Sequence, residues 1–171
     1  HLFWERGTYP DVDIIYQNIQ SDGSLGQTTP IYVSDAIGYQ SMPIAVYDYS
    51  YGAYVIFADR ENGSIDIRTQ RIAGGQTIFE DNGILAMEGL DGDVNYVSSF
   101  YTGGLDGESL LTWIDNRNKK KLFGGKVDAD GVNDSLINGV QLAGFEIIVE
   151  ALENEPVSLF QNGTHLITAI F

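Results

Sequence analysis

Tyr54-Val55-Ile56-Phe57, then Glu61-Asn62-Gly63-Ser64, then Asp66-Ile67-Arg68-Thr69-Gln70-Arg71-Ile72 reads as two short strands joined by a turn. The second run alternates: Ile67, Thr69 and Arg71 fall on one side of a strand, Arg68, Gln70 and Ile72 on the other. The first run is nearly all apolar, so it is expected to be buried on both faces. Asn-Gly supplies the positive φ angles that a hairpin turn needs. Two more strand candidates flank the pair, Pro43-Ile44-Ala45-Val46-Tyr47 before it and Ile84-Leu85-Ala86-Met87 after it. Ser50-Tyr51-Gly52 and Asp81-Asn82-Gly83 form the turns between them. No window of ten or more residues has a helical period. The unit is therefore four short strands.

The same unit recurs on both sides. Trp4-Glu5-Arg6, Asp13-Ile14-Ile15-Tyr16-Gln17 and Ser21-Asp22-Gly23 precede it. Trp113-Ile114-Asp115-Asn116-Arg117, Lys121-Leu122-Phe123-Gly124-Gly125 and Asp130-Gly131 follow. The aromatic recurs at Trp4, Phe57, Trp113 and Phe171, at spacings of 53, 56 and 58 residues. Asn82-Gly83-Ile84 is matched by Asn138-Gly139-Val140 and by Thr29-Pro30-Ile31. Pro43-Ile44-Ala45-Val46 is echoed by Pro156-Val157-Ser158-Leu159, with Val94-Asn95-Tyr96-Val97 in that place in the intervening repeat. Leu2 and Trp4, Val55 and Phe57, Leu111 and Trp113, Ala169 and Phe171 are expected to pack neighbouring sheets together. Each such side chain contributes about 1.5–3 kcal/mol when buried.

A period of this size built from four-stranded units predicts an all-β fold, specifically a β-propeller segment of about three four-stranded antiparallel blades. The repeats run approximately over 1–40, 41–92 and 93–148, with the start of a fourth at 149–171, so that 1–171 is one propeller segment. The chain opens and closes inside strand-like runs, at a second strand each time. Three repeats are too few to close a ring of four to eight blades. The remaining blades are expected from the same longer chain or from another subunit.

Composition narrows the partners. The 171 residues carry a net charge of −15 and are 19% charged and 12% aromatic, a globular composition. A surface this acidic repels phosphate backbones and anionic lipid, so neither nucleic acid nor membrane insertion is expected. Cysteine is absent, which excludes disulfides, thiolate nucleophiles and zinc–thiolate sites. No run approaches the ~18 apolar residues of a membrane-spanning helix.

Taken together, Trp4, Phe57 and Trp113, Asp59 and Asp115, Arg117, Gly63, Asp13-Ile14 and Asp66-Ile67, Gln17 and Gln70, and Asp22-Gly23 and Asp130-Gly131 spell a pattern. It is Trp-x-Asp-x-Arg-x-Gly, Asp-Ile-x-x-Gln, Asp-Gly. That pattern resembles a propeller repeat of large secreted and cell-surface proteins of gliding Gram-negative bacteria, many of them cargo of the type IX secretion system. The resemblance covers almost the whole chain. The first repeat departs from it with Arg6 where the Asp belongs, and the third lacks Asp-Ile and Gln. It implies secretion or the outer cell surface and says little about activity, because fold and function separate.

The chemistry-bearing residues read mostly as structure. Asp59 and Asp115 hold the same position in two of the repeats, which suits a turn-stabilising carboxylate paired with Arg60 or Arg117 better than a singular active site. Asp128-Ala129-Asp130-Gly131-Val132-Asn133-Asp134 has its Gly at the fourth position of a Ca²⁺-type loop and Gly139 where the bidentate Glu belongs, so a hairpin fits better. No cofactor is expected, Ca²⁺ being the one ion the acidic surface favours. His1 and His165 sit at different offsets from their aromatics, and Lys119-Lys120-Lys121 suits a solvated hairpin tip. Asn62, Asn133 and Asn162 begin N-glycan acceptor patterns, and Asp134-Ser135-Leu136 resembles a bacterial O-glycan acceptor.

No catalytic or metal-binding residue is singled out. The expected function is a non-catalytic scaffold or binding module that contacts protein or glycan at the cell surface. The alternatives are a glycosidase-type propeller enzyme or a structural component of the secretion and gliding machinery. The expected contact residues are Tyr47, Tyr49 and Tyr51 in one turn, and Tyr101, Leu105 and Asp106 at the long loop 101–109.

Overall fold

The computed structural model describes residues 1–48, 52–60, 65–89, 94–101, 109–115, 121–132, 140–141, 157–162 and 165–170. These residues form strands and connecting turns, with no helix among them. Every named strand pairing is antiparallel.

The strands fall into four sheets in chain order. The first contains β1 (Leu2–Thr8), β2 (Asp11–Gln17) and β3 (Ile31–Ser34). The second contains β4 (Gln40–Tyr47), β5 (Gly52–Asp59), β6 (Asp66–Ala73), the short β7 (Gln76–Thr77) and β8 (Ile84–Met87). The third contains β9 (Val94–Tyr101), β10 (Ser109–Asp115), β11 (Lys121–Asp128), β12 (Gly131–Val132) and β13 (Val140–Gln141). The fourth pairs β14 (Val157–Asn162) with β15 (His165–Ile170).

Register is the common thread. Trp4 stands opposite Ile15, Phe57 opposite Arg68 and Trp113 opposite Phe123. The last strand repeats too: Ile31 faces Tyr16, Ile84 faces Thr69 and Val140 faces Gly124. In the first and second sheets that strand carries a bulge at one position, Val33 and Ala86. The first strands also bulge, with Met42-Pro43 set against Phe57 and Tyr96-Val97 against Trp113. A bulge sets two residues against one and turns the strand locally.

The bulge corrects one expected equivalence. Val94 pairs Asp115 as Gln40 pairs Asp59, and Ser98 pairs Thr112 as Ile44 pairs Ile56. Ser98, and not Asn95, therefore takes the place of Ile44. Proline at Pro43 had suggested the other alignment, but the ladder is set by the bulge. The echo at the end of the chain holds, since Val157 faces Ile170 as Ile44 faces Ile56.

The core lies on both sides of the second sheet. All eight residues of β5 are buried, as its apolar run predicts. Val55, Phe57 and Ile72 pack with Ile14, Tyr16 and Val33 of the first sheet. Tyr54, Ile56, Ala58, Ile67 and Met87 pack with Leu111 and Val127 of the third. The alternation of the strand therefore feeds two seams at once. Leu2 and Trp4 depart from the expected packing, at 49% and 37% exposed. They occupy the positions of Val55 and Phe57, but their face of the first sheet has no sheet against it among the described residues. Of the other expected packing residues, Leu111 is buried; the side chains of Trp113, Ala169 and Phe171 lie outside the described residues.

Strands of different sheets also approach one another. β4 lies beside β1, β2 and β9, and β9 lies beside β14. The first strands of the last three sheets are thus consecutive neighbours. Between the first two sheets, Glu5 Oε1 accepts the Met42 N–H (2.8 Å), and Asn82 Oδ1 accepts from Asp35 N (2.9 Å) and Ser34 Oγ (3.3 Å).

Candidate functional site

Tyr47 ends β4, where the chain leaves the second sheet for the turn that leads to β5. It is 43% exposed. What lies beneath it is rigid. Asp48 is fully buried; its Oδ1 accepts the Gly52 N–H at 2.7 Å. Its Oδ2 takes Arg71 Nε and one terminal guanidinium nitrogen, both at 3.0 Å. The guanidinium also lies over the Tyr54 ring, 5.8 Å from its centroid. A buried carboxylate shared between a backbone N–H and an arginine clamps both ends of the turn. Gly52 is required there, because a Cβ would strike the Ile72 carbonyl and the Asp48 carboxylate.

Register carries Tyr47 into the neighbouring sheets. Tyr47 pairs Ala53, Tyr101 pairs Ser109 and Phe160 pairs Ile167, at one position of the repeat. Three adjoining first strands thus place an aromatic residue at the same end. Two of these were expected as contact residues. Phe160 was not, and its signal is its place three residues after Val157, as Tyr47 is three after Ile44. Tyr49, Tyr51, Leu105 and Asp106 lie outside the described residues, as do Asn62, Asn133 and the Asp134-Ser135-Leu136 motif.

The repeated polar residues have structural partners. Asp59 is 2% exposed and holds Arg68 Nε at 2.9 Å and Gln40 Nε2 at 3.2 Å. The expected partner was Arg60. Arg68 wins because it is diagonal to Asp59 across the ladder, on the same face, whereas Arg60 follows Asp59 in the chain and is exposed. Gln70 accepts from Arg71 N (3.0 Å) and Phe79 N (2.9 Å) and donates to the Glu80 carbonyl (3.0 Å). Gln17, at the same repeat position, donates to the Gln27 carbonyl at 2.9 Å. In both sheets this glutamine ties the returning loop to its own strand, β2 or β6. That is a physical reason for its recurrence.

The turns behave as read. Asp22 Oδ1 accepts from Ser24 N (2.9 Å) and Ser24 Oγ (2.6 Å), and these bonds hold its carboxyl below the ordinary value. Asp128 Oδ1 accepts from Asp130 N at 3.0 Å in the β11–β12 hairpin. His1 stacks on Tyr16 (5.5 Å) and hydrogen-bonds its hydroxyl at 2.9 Å. Burial raises the Tyr16 hydroxyl above its ordinary pKa.

A groove of about 290 Å³ opens between the first two sheets, lined by Tyr32, Ser34, Asp35, Gln70, Asp81 and Asn82 among others. Asn82 there is committed to Ser34 and Asp35, and Gln70 to its loop. Among the described residues no three His, Cys, Asp or Glu side chains converge as a metal site would need, and no helix is long and apolar enough to cross a membrane. Comparison of the chain with protein-family models, curated proteins and solved structures found no match.

Proposed function

We propose that this chain is a segment of a β-propeller that serves as a non-catalytic scaffold or binding module on a secreted or surface-exposed bacterial protein. Its first strands line the axis, further blades complete the ring, and protein or glycan is bound at the strand ends. The resemblance of the repeat supports the compartment. Repetition of one register through successive sheets, with β4 beside β9 and β9 beside β14, supports the ring arrangement.

The observation that carries the binding role is the row of Tyr47, Tyr101 and Phe160 at one end of those adjoining strands. Aromatic residues supply large contact area at low conformational cost, and a saccharide or an extended peptide can stack along such a row. Asp48 and Arg71 keep the first of them on a stiff support. The test is a glycan array and a cell-surface protein capture with the purified chain, repeated with Tyr47→Ala, Tyr101→Ala and Phe160→Ala. Binding should fall at least ~10-fold in the variants, a loss typical of contact residues. Binding indifferent to all three substitutions would overturn the assignment. So would turnover of a glycoside that one carboxylate substitution abolishes.

A further inference from the structure

The groove between the first two sheets has polar walls that are fixed from beneath. One wall is β3 with the residue after it, which brings Tyr32, Ser34 and Asp35. The other is the second sheet, with Gln70 from β6, Thr77 from β7, and Asp81 and Asn82 from the turn before β8. The two sheets pack on each other through Ile14, Val33, Val55 and Ile72, so the seam itself sets the position of both walls.

Asn82 is the best-fixed polar group in the groove. It has φ 65° and Gly83 has φ 74°, and the Gly83 N–H donates to the Glu80 carbonyl at 3.0 Å. A Cβ at Gly83 would strike the Thr69 carbonyl oxygen, so the turn lies hard against β6. Across the seam, Asn82 Oδ1 accepts from Asp35 N at 2.9 Å and from Ser34 Oγ at 3.3 Å. A backbone N–H can only donate, which identifies the oxygen of this amide and leaves Nδ2 as its other end. Nδ2 has no partner among the described residues, and neither has the Asp35 or the Asp81 carboxylate. Both aspartates are exposed. None of the residues lining the groove is basic.

We infer that this groove binds one neutral hexose unit of a glycan, with Asp35 and Asp81 accepting from its hydroxyls and Asn82 Nδ2 donating to one of them. A sugar hydroxyl both donates and accepts, so neighbouring hydroxyls are matched by carboxylates that accept and an amide that donates. Thr77 adds a further hydroxyl, and Tyr32 a ring at the rim. An anionic ligand is repelled by the two carboxylates. A metal ion lacks a third His, Cys, Asp or Glu among the described residues. The volume of about 290 Å³ is at the lower end of ligand pockets, the size for a single ring. The site uses no residue of the row formed by Tyr47, Tyr101 and Phe160, so the two readings fail separately.

An NMR titration of the isotopically labelled chain with the methyl glycosides of glucose, galactose and mannose, and with methyl glucuronide, tests it. At least one of the three neutral glycosides should shift the Asn82 side-chain amide pair and the Asp35 backbone amide saturably. The glucuronide, which carries a carboxylate, should not. Asp81→Ala, at an exposed position, should weaken binding at least ~10-fold, the worth of a hydrogen bond to a charged acceptor. Asn82→Asp keeps an acceptor for Asp35 N and Ser34 Oγ but loses the donor, and should abolish binding while far-UV circular dichroism matches the parent. Tyr47→Ala should leave the titration unchanged; a loss there would move the sugar to the row and overturn the groove. No saturable shift with any neutral glycoside, equal binding of the glucuronide, or groove variants that bind as the parent does would overturn the inference. Shifts caused by calcium chloride and by none of the glycosides would overturn it as well, and would assign the carboxylates to a cation.

Discussion

Trp4 and Phe57 hold one position of the repeat and differ in what surrounds them. Phe57 is 1% exposed between two sheets, and Trp4 is 37% exposed on an open face. Phe57→Ala should cost about 3–5 kcal/mol, because the cavity cannot collapse between two rigid sheets. Trp4→Ala should cost about 1–2 kcal/mol, since much of the ring is already in water and only partial burial is lost. Urea denaturation of the two variants measures the difference; equal costs would mean that the open face is covered. Asp13 offers a titration test. Burial first, then the Asp11 and Asp35 carboxylates, hold its carboxyl above the ordinary 3.8, while Arg6 pulls the other way. An acid whose pKa rises on folding holds its proton more firmly in the folded state. Its contribution favours folding at low pH and is lost as pH climbs through the folded value. Asp13→Asn should therefore raise the melting temperature at pH 7 and leave it unchanged near pH 3. A variant that melts lower at pH 7 would contradict this sign.

At the scale of the element, the turn from β4 to β5 depends on Asp48. The carboxylate is wholly inside, and Arg71 beside it is 16% exposed. Removing one member of such a pair leaves a charge without its partner and costs about 3–5 kcal/mol. Asp48→Ala should lower stability by that amount and loosen Tyr47, which amide exchange at Gly52 will read directly, its N–H having lost an acceptor. Protection at Gly52 equal to the parent would show that the carboxylate is dispensable. The bulged first strands make the same point by another route. Met42 has φ 55° and lies in the bulge opposite Phe57. The turns are simpler, and Asn82 and Gly83 both have positive φ, as the Asn-Gly pair announced.

At the scale of the whole molecule, the second sheet is apolar on both faces and packs against the first sheet on one side and the third on the other. β5 displays this, since alternate residues serve the seam in front and the seam behind. The sequence by itself determined strand identity, the turn residues and the doubly buried run 54–57, because period-2 alternation and Gly/Asn turns are local. It also singled out Tyr47 and Tyr101 as aromatics beside turns. It did not place Phe160 at the equivalent position, because that equivalence follows from strand pairing. Only the tertiary structure decided that Arg68 and not Arg60 meets Asp59, that Ser98 replaces Ile44, and that Trp4 is exposed where Phe57 is buried. Each of these depends on what lies across a ladder or across a seam, and neighbours brought together by folding leave no mark on adjacent positions of the chain.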